Sequence, residues 1–380
     1  RTKGGKWAIY LRYRDSKQRT KRQNFSSRLM RLNSLSSSKH IIGLAIFMLS
    51  IMPIQLLAQN GGFAGASTRI GYSARGMAMS NAMSAVTSEG AFAYYNPAQA
   101  ALFLENRQTD LTVGALKFDR VFQSTGIQLQ LPPSAGISFN LLRTGVQDID
   151  GRTLSGYPVD VFDVSEYQFS GNFGLRLSNR FKGGIGVKFS MANYHPELDM
   201  ATSFGVDLGL LYSANSGINA AFSVKDLFAN YIWNSQELYN LTQSQDVTND
   251  FPTRFILGVS YQKDNFTISG DFEIQSYTSE SRRITETVIE GIPAITNVRK
   301  EIKTHSKKVR LGGSWNAHER FTFRGGWQLP DLSAVDSWSL SSGFSIHLPF
   351  DVFSPSIDYA FVMEPYRISN MHVFSLRLNL

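Results

Sequence analysis

The sequence predicts an all-β transmembrane fold, an outer-membrane β-barrel of about fourteen antiparallel strands with an amino-terminal plug in its lumen. Three observations carry this. From Arg107 onward apolar residues recur with a period of two, the connections between these runs alternate short and long, and an uncharged apolar segment near the start has the form of an export signal. Composition sets the frame: of 380 residues 12% are aromatic and only 18% charged, which is too apolar for disorder, and there is no cysteine. The body of the chain holds no apolar run of the roughly 20 residues that a membrane helix needs, so any crossing is made by strands.

The leader comes first. The segment 41–58, IIGLAIFMLSIMPIQLLA, follows Arg31 and Lys39 and ends in a small residue, which reads as a secretory signal peptide over 30–59, cut near Ala58 or Gln59. A membrane anchor fits less well, because Pro53 and Gln55 interrupt an already short run. Residues 1–29 are strongly basic and begin with Arg, while Met30 opens a conventional signal, so 1–29 is read as an upstream extension or translation artefact. Residues 1–59 hold 12 of the 38 Lys and Arg but 1 of the 30 Asp and Glu. That leaves 26 cations against 29 anions in the exported chain, and the formal charge of +8 is no sign of a nucleic-acid partner.

The plug is placed at 60–106. Within it, 71–98 reads GYSARGMAMSNAMSAVTSEGAFAYYNPA, where Ala and Met favour helix, bulky residues gather at 92–95 and Asn96-Pro97 breaks the chain. This stretch resembles the amino-terminal signature of the PorV/PorQ family, a branch of the FadL-like outer-membrane barrels, which reads Ala-Arg-x-x-Gly-Met-Gly-Gly-Ala, an acidic pair, then Tyr-x-Asn-Pro-Ala. Ala74, Arg75, Met79, Ala82, Tyr94, Asn96, Pro97 and Ala98 fall in register. Ala78, Ser80 and Asn81 stand where glycines are usual, and Ser88 leaves Glu89 as the single acid of the pair. The resemblance implies a plug motif of Arg75, Met79, Glu89, Tyr94, Asn96 and Pro97 with a structural or gating role. Capping and plug-to-wall hydrogen bonds are the expected work of Arg75 and Asn96, ahead of ligand contact.

The barrel occupies 107–380. Its strands are expected at 107–118, 122–131, 135–145, 166–178, 181–194, 200–212, 218–232, 254–262, 266–277, 307–318, 320–328, 336–349, 354–365 and 370–380. In the last, Phe374, Leu376, Leu378 and Leu380 oppose Ser375, Arg377 and Asn379, one face apolar and the other wet. Every second connection is short, whereas those between include 146–165, 233–253 and 278–306. Short periplasmic turns alternating with longer external loops mark an outer-membrane barrel, and a soluble sandwich has no reason to keep that parity. Trp315, Trp327 and Trp338 lie near strand ends, as an interfacial aromatic girdle requires.

The inward set contains Arg176, Lys188, Arg254, Arg310, Arg324 and Arg377 with Asp110, Asp207, Asp271, Glu273 and Asp358. Mixed signs in a confined interior predict paired networks that hold the plug, rather than an ion-selective ring. Gly183-Gly184-Ile185-Gly186 lacks the Lys-Ser/Thr of a phosphate loop and is read as relief of crowding in a curved wall. Six scattered histidines without cysteine form no metal motif, no catalytic set assembles, and no cofactor or enzyme activity is expected. The partner surfaces are placed on the long loops, at Trp233 and Tyr239 and at Arg282, Arg283, Ile292 and Pro293, the latter loop forming a hairpin around Gly291-Ile292-Pro293.

Two functions follow. The family resemblance implies a non-enzymatic component of type IX secretion that docks or shuttles exported cargo through its carboxy-terminal domains, beside a secretion translocon. The alternative is FadL-like passage of a hydrophobic ligand, against which the charged lumen weighs, since such passage needs a continuous apolar lining. Either places the protein in the outer membrane of a Gram-negative bacterium, against outer-membrane lipid.

Overall fold

The structure is a computed structural model that describes residues 64–196, 198–233, 247–289, 292–350 and 354–380, with 247, 279–289 and 292–302 described by backbone alone. The leader segments 1–29 and 30–59 lie outside the described residues. Strands β1 (Gln108–Ala115), β2 (Arg120–Leu131), β3 (Ala135–Arg152), β4 (Pro158–Arg176), β5 (Phe181–Asn193), β6 (Ala201–Ser213) and β7 (Ile218–Leu227) form one half of a wall. A small separate sheet follows, β8 (Asn230–Trp233) against β9 (Val247–Asp250). The wall resumes with β10 (Thr253–Lys263), β11 (Phe266–Ile289), β12 (Ile292–His318), β13 (Phe321–Leu329), β14 (Ser339–His347), β15 (Ser356–Met363) and β16 (Asn370–Asn379). Antiparallel pairing runs through all fourteen wall strands, with β10 beside β7, and β1 closes on β16 from Gln108↔Asn379 to Ala115↔His372. Closure removes both sheet edges, so no row of unpaired backbone groups is left as a template for aggregation.

Alternation decides which face looks inward. On β16, Met371, Val373, Ser375 and Arg377 are buried, while His372, Phe374 and Leu376 are exposed. On β10, Arg254, Ile256 and Ser260 are buried, while Phe255, Leu257, Val259 and Tyr261 face out. A one-residue slip would exchange the two sets, so burial of one face pins the register. The short turns, such as those between Leu131 and Ala135, Lys263 and Phe266, and His318 and Phe321, share one end, the periplasmic end in barrels of this kind. Near it Phe266 stacks on Trp315 at 5.9 Å and Trp315 meets Phe323 at 6.2 Å on the outward face, one arc of an aromatic girdle.

Three expectations change. The segment 146–165 is not a loop: β3 and β4 continue through it as a paired ribbon, interrupted by bulges after Val146 and Gly151. Likewise β11 and β12 run on through 278–306, paired as far as Ile289↔Ile292, so Arg282 and Arg283 lie on β11 and Ile292 and Pro293 open β12. The expected strand 218–232 breaks instead. Asp226 and Phe228 take left-handed φ of 61° and 65°, which turns the chain out of the wall after Leu227 and into β8.

The outward apolar face carries a direct expectation. Leu257→Arg, at the middle of β10, should destabilise the barrel in lipid by about 2–4 kcal/mol in a denaturant titration, because a charge there sits in hydrocarbon.

Candidate functional site in the barrel lumen

Residues 64–102 pack against inward-facing wall residues. Their local structure is a 3-10 turn at Ser67–Arg69, a five-residue helix α1 (Ala74–Ala78) and a second 3-10 turn at Pro97–Ala101. Ser73 caps α1 by accepting from the Gly76 N–H, and Asn96 caps the second turn by accepting from the Ala98 N–H at 3.0 Å. After α1 the chain passes through left-handed φ at Ser80 (51°) and Asn81 (60°), a conformation that glycine adopts without cost. Here side-chain bonds offset the strain: Ser80 pairs with Ser341 at 2.8 Å, and Asn81 donates to the Ile70 carbonyl and accepts from the Tyr95 hydroxyl.

Each motif residue has a place. Met79 is buried with Tyr72, Met83, Val86, Phe92 and Tyr95 in an apolar centre, where Tyr94 stacks on Tyr72 at 5.2 Å. The Tyr94 hydroxyl donates to the Thr68 carbonyl at 2.7 Å, and its own carbonyl accepts from Lys225. Asn96 also donates to the Ser84 and Leu210 carbonyls, both at 3.1 Å, the latter on the wall. The turn at Pro97 reaches the wall only because the wall is bare there: a Cβ on Gly184 would fall 2.3 Å from the Pro97 carbonyl carbon, and one on Gly209 would fall 2.0 Å from Asn96 Oδ1. Gly184 thus relieves crowding, as expected of the glycines at 183–186, and the crowding comes from the inner segment at Pro97 and Ala98.

Arg75 and Glu89 are at the centre of the fastening. Arg75 Nε meets Asp358 Oδ2 at 2.9 Å, and its other nitrogens donate to Ser356 Oγ and the Glu89 carbonyl. Arg324 grips the Glu89 carboxylate at 2.6 and 3.0 Å, while Arg377 donates to the Glu89 carbonyl at 2.6 Å and to Asp110 at 2.7 Å. Burial pushes the Glu89 carboxyl up, but Arg324 and Arg75 more than offset this and hold it below the ordinary carboxylate range. Neutral wall groups add to the hold: Gln108 bonds both the N–H and the carbonyl of Ala91, and Ser260 donates to the Ala85 carbonyl. Across the lumen, Lys188 bridges Asp207 (2.7 Å) and Asp226 (2.8 Å), Arg254 meets Asp226 (2.7 Å) and Arg310 pairs with Glu273. Arg176 stays half-buried, with its Nε unpartnered.

The lumen is not charged all round, which overturns the expectation of a wet interior everywhere. Along β15, β16, β2 and β3 the inward residues change from polar to apolar toward the outer end: Asp358 to Ala360 and Val362, Ser375 to Val373 and Met371, Ser124 to Phe122, Ser138 to Leu142. These pack with Ala74, Met77 and Ala78 of α1, and with Ile70 and Leu116. Beside them lies a cavity of about 250 Å³ whose apolar lining includes Ala66, Ile70, Leu116, Val121, Val146 and Val164. Arg120 and Glu166 supply its charges, and Arg120 is held in a fork by Glu364 at 2.7 and 3.0 Å. A polar cavity of about 730 Å³ opens on the short-turn side at Arg75, Glu89, Arg324, Asn316 and His347. Among the pairs just described, those of Arg75, Glu89 and Arg324 therefore stand between an apolar outer cavity and a wet inner one. The apolar sector has a sequence signal that period-two reading passes over, runs in which both faces are apolar: Val121-Phe122, Leu141-Leu142 and Ala360 to Met363.

Of the partner residues, Trp233 packs its ring on Tyr194 (4.9 Å) and Tyr231 (5.6 Å), within a cluster that includes Ala64 and Phe251. Tyr239 lies outside the described residues, as do the side chains of Arg282, Arg283, Ile292 and Pro293. Among the described residues no three His, Asp or Glu side chains converge as a metal site would need.

Glu89→Gln should lower stability by about 3 kcal/mol, since it leaves Arg324 buried beside a neutral group. Adding Arg324→Met should restore part of that loss, read as a coupling in a double-mutant cycle of unfolding free energies.

No protein-family model matches the sequence, and no curated protein matches it. Solved structures do match in fold. The Pseudomonas putida toluene transporter TodX aligns at a TM-score of 0.53 with 12% identity, over 81% of this chain and 96% of that one. A Pseudomonas aeruginosa FadL homologue aligns at 0.56 with 12% identity, over 81% and 97%. The CymD monoaromatic hydrocarbon channel aligns at 0.53 with 12% identity, over 83% and 97%. At this identity the likeness is one of architecture, and the chain has the fold of FadL-like outer-membrane barrels.

Proposed function

We propose that this barrel passes small hydrophobic molecules across the outer membrane, with the inner segment as its gate. The observation that carries the reading is the apolar cavity between Ile70 of the inner segment and Val146 and Val164 of the wall. At about 250 Å³ it exceeds the roughly 150 Å³ of an engineered dry cavity that holds benzene. It also fits the general form of a ligand pocket, an apolar lining with a few polar groups, here Ser67, Arg120 and Glu166. The fold shared with a toluene transporter and a monoaromatic hydrocarbon channel supports the same direction. Passage requires the segment to part from the wall at Arg75, Glu89 and Arg324, where the paired charges now close the way to the periplasmic cavity.

A second reading, docking of exported cargo in type IX secretion, rests on the motif at 74–98 and on the β11–β12 ribbon. That ribbon continues well past the partners of β11 and β12 on either side: β10 pairs with β11 only to Ser276, and β13 with β12 only from Val309. Recovery of cargo carboxy-terminal domains on the purified barrel, lost when 280–301 is shortened, supports docking.

The transport reading predicts that the protein in liposomes speeds entry of toluene into the lumen, and that Val146→Trp, which fills the cavity, slows this about tenfold. Entry no faster than through protein-free liposomes would refute it.

A further inference from the structure

Glu166 lacks the partners that the other buried acids of the lumen have. Glu89, Asp110, Asp207, Asp226, Glu273 and Asp358 each meet an arginine or lysine in an ion pair, and Asp271 takes two bonds from Ser84. Glu166, inward on β4 and only 4% exposed, takes a single hydrogen bond among the described residues, donated by the Ser67 hydroxyl. It lines the outer apolar cavity. The other charge of that lining, Arg120, is already forked by Glu364. Arg69, whose charge also acts on Glu166, donates instead to the Ala64 carbonyl.

Fastening the inner segment does not call for an acid at this position. At the next inward position of β4, Gln168 reaches the Thr68 hydroxyl at 3.4 Å with a neutral amide, whereas a carboxylate at 166 costs more to take out of water. Thr144 pairs with Glu166 across β3 and β4, so the two side chains lie together on the inward face. The Thr144 hydroxyl is buried, lines the same cavity and has no partner among the described residues. One inward step toward the outer end, the pair Val146 and Val164 is apolar, and two residues along a strand span roughly 7 Å. The cavity thus sets a carboxylate and an unsatisfied hydroxyl at the foot of an apolar wall. An ammonium group brings the missing positive charge and three donors, while an anion would meet like charge.

We propose that the outer cavity takes small hydrophobic amines as their ammonium ions, the nitrogen held by Glu166 and Thr144 and the apolar body lying along Val146, Val164 and Ile70. This rests on the transport reading, since it names what the same cavity admits.

The test is isothermal titration calorimetry of the barrel in micelles, with protein-free micelles subtracted. Its probes are phenethylammonium, its neutral isostere propylbenzene and the anion hydrocinnamate. The parent should bind phenethylammonium at least about tenfold more tightly than hydrocinnamate, and Glu166→Gln should cut the preference for the amine over propylbenzene about tenfold. Thr144→Val should cut that preference by a smaller factor, about threefold. Hydrocinnamate bound as tightly as the amine, or a preference unchanged in Glu166→Gln, would overturn the proposal. The comparison of amine and anion uses only the parent protein, so it decides the matter even where a variant fails to close into a barrel. Binding of propylbenzene without preference for the amine overturns this inference and leaves the transport reading standing, whereas binding of none of the three overturns both.

Discussion

The lumen of this barrel depends on one constraint, that a charge removed from water must be met by an opposite charge or a hydrogen-bonding group. Glu89 shows how far this is carried. Its carboxylate is held by Arg324 and its carbonyl by Arg377 and Arg75, and those three arginines are in turn placed by Ser345, Asp110 and Asp358 on the wall. Loss of one member strands the others, so the inner segment and the wall are fixed together as a set. Across the lumen, Lys188, Asp207, Asp226 and Arg254 tie β5, β6, β7 and β10 into a second set. The same Asp226 turns the chain out of the wall toward β8, so a backbone departure and a buried ion pair share one residue.

Pairing is expensive in residues, and the barrel confines it. Toward the outer end of β15, β16, β2 and β3 the inward positions give up polar side chains for Val362, Val373, Met371, Phe122 and Leu142, and there the inner segment meets the wall mainly by packing, with few hydrogen bonds such as that from the Ala74 N–H to Ser375. The two kinds of contact have different consequences for motion. An apolar interface gives way to another apolar molecule at little cost, whereas a buried ion pair opens only if water or a competing charge arrives. The geometry therefore yields on the outer side and holds on the inner side, where the polar cavity brings water to Arg75, Glu89 and Arg324.

Much of this was legible in the sequence. Period-two alternation located all fourteen wall strands, because a barrel wall has two faces in different solvents, and the parity of connections gathers the short ones at one end. The charges at Asp110, Lys188, Arg254, Glu273, Arg310, Arg324, Asp358 and Arg377 were placed inward by the same rule. Their pairing was not readable, since Arg75 and Asp358 lie far apart in the chain and only the packing of the inner segment against β15 brings them together. Alternation also fails where both faces are apolar, which is why Phe122, Leu142 and Val362 were missed as lumenal. The ribbons at 146–165 and 278–306 read as loops in the sequence because, beyond the neighbouring wall strands, neither face of a strand has an apolar solvent to record. Ser80 and Asn81, standing where glycines are usual, hid a left-handed turn that their side-chain bonds sustain.

The most direct measurement is a crystal structure of the barrel soaked with bromobenzene, located by the anomalous scattering of bromine. A peak is expected in the cavity bounded by Ile70, Leu116, Val146 and Val164, with the Glu89–Arg324 pair intact beneath it. Bromine found only on the lipid-facing surface, or in the polar cavity at Asn316 and His347, would contradict it.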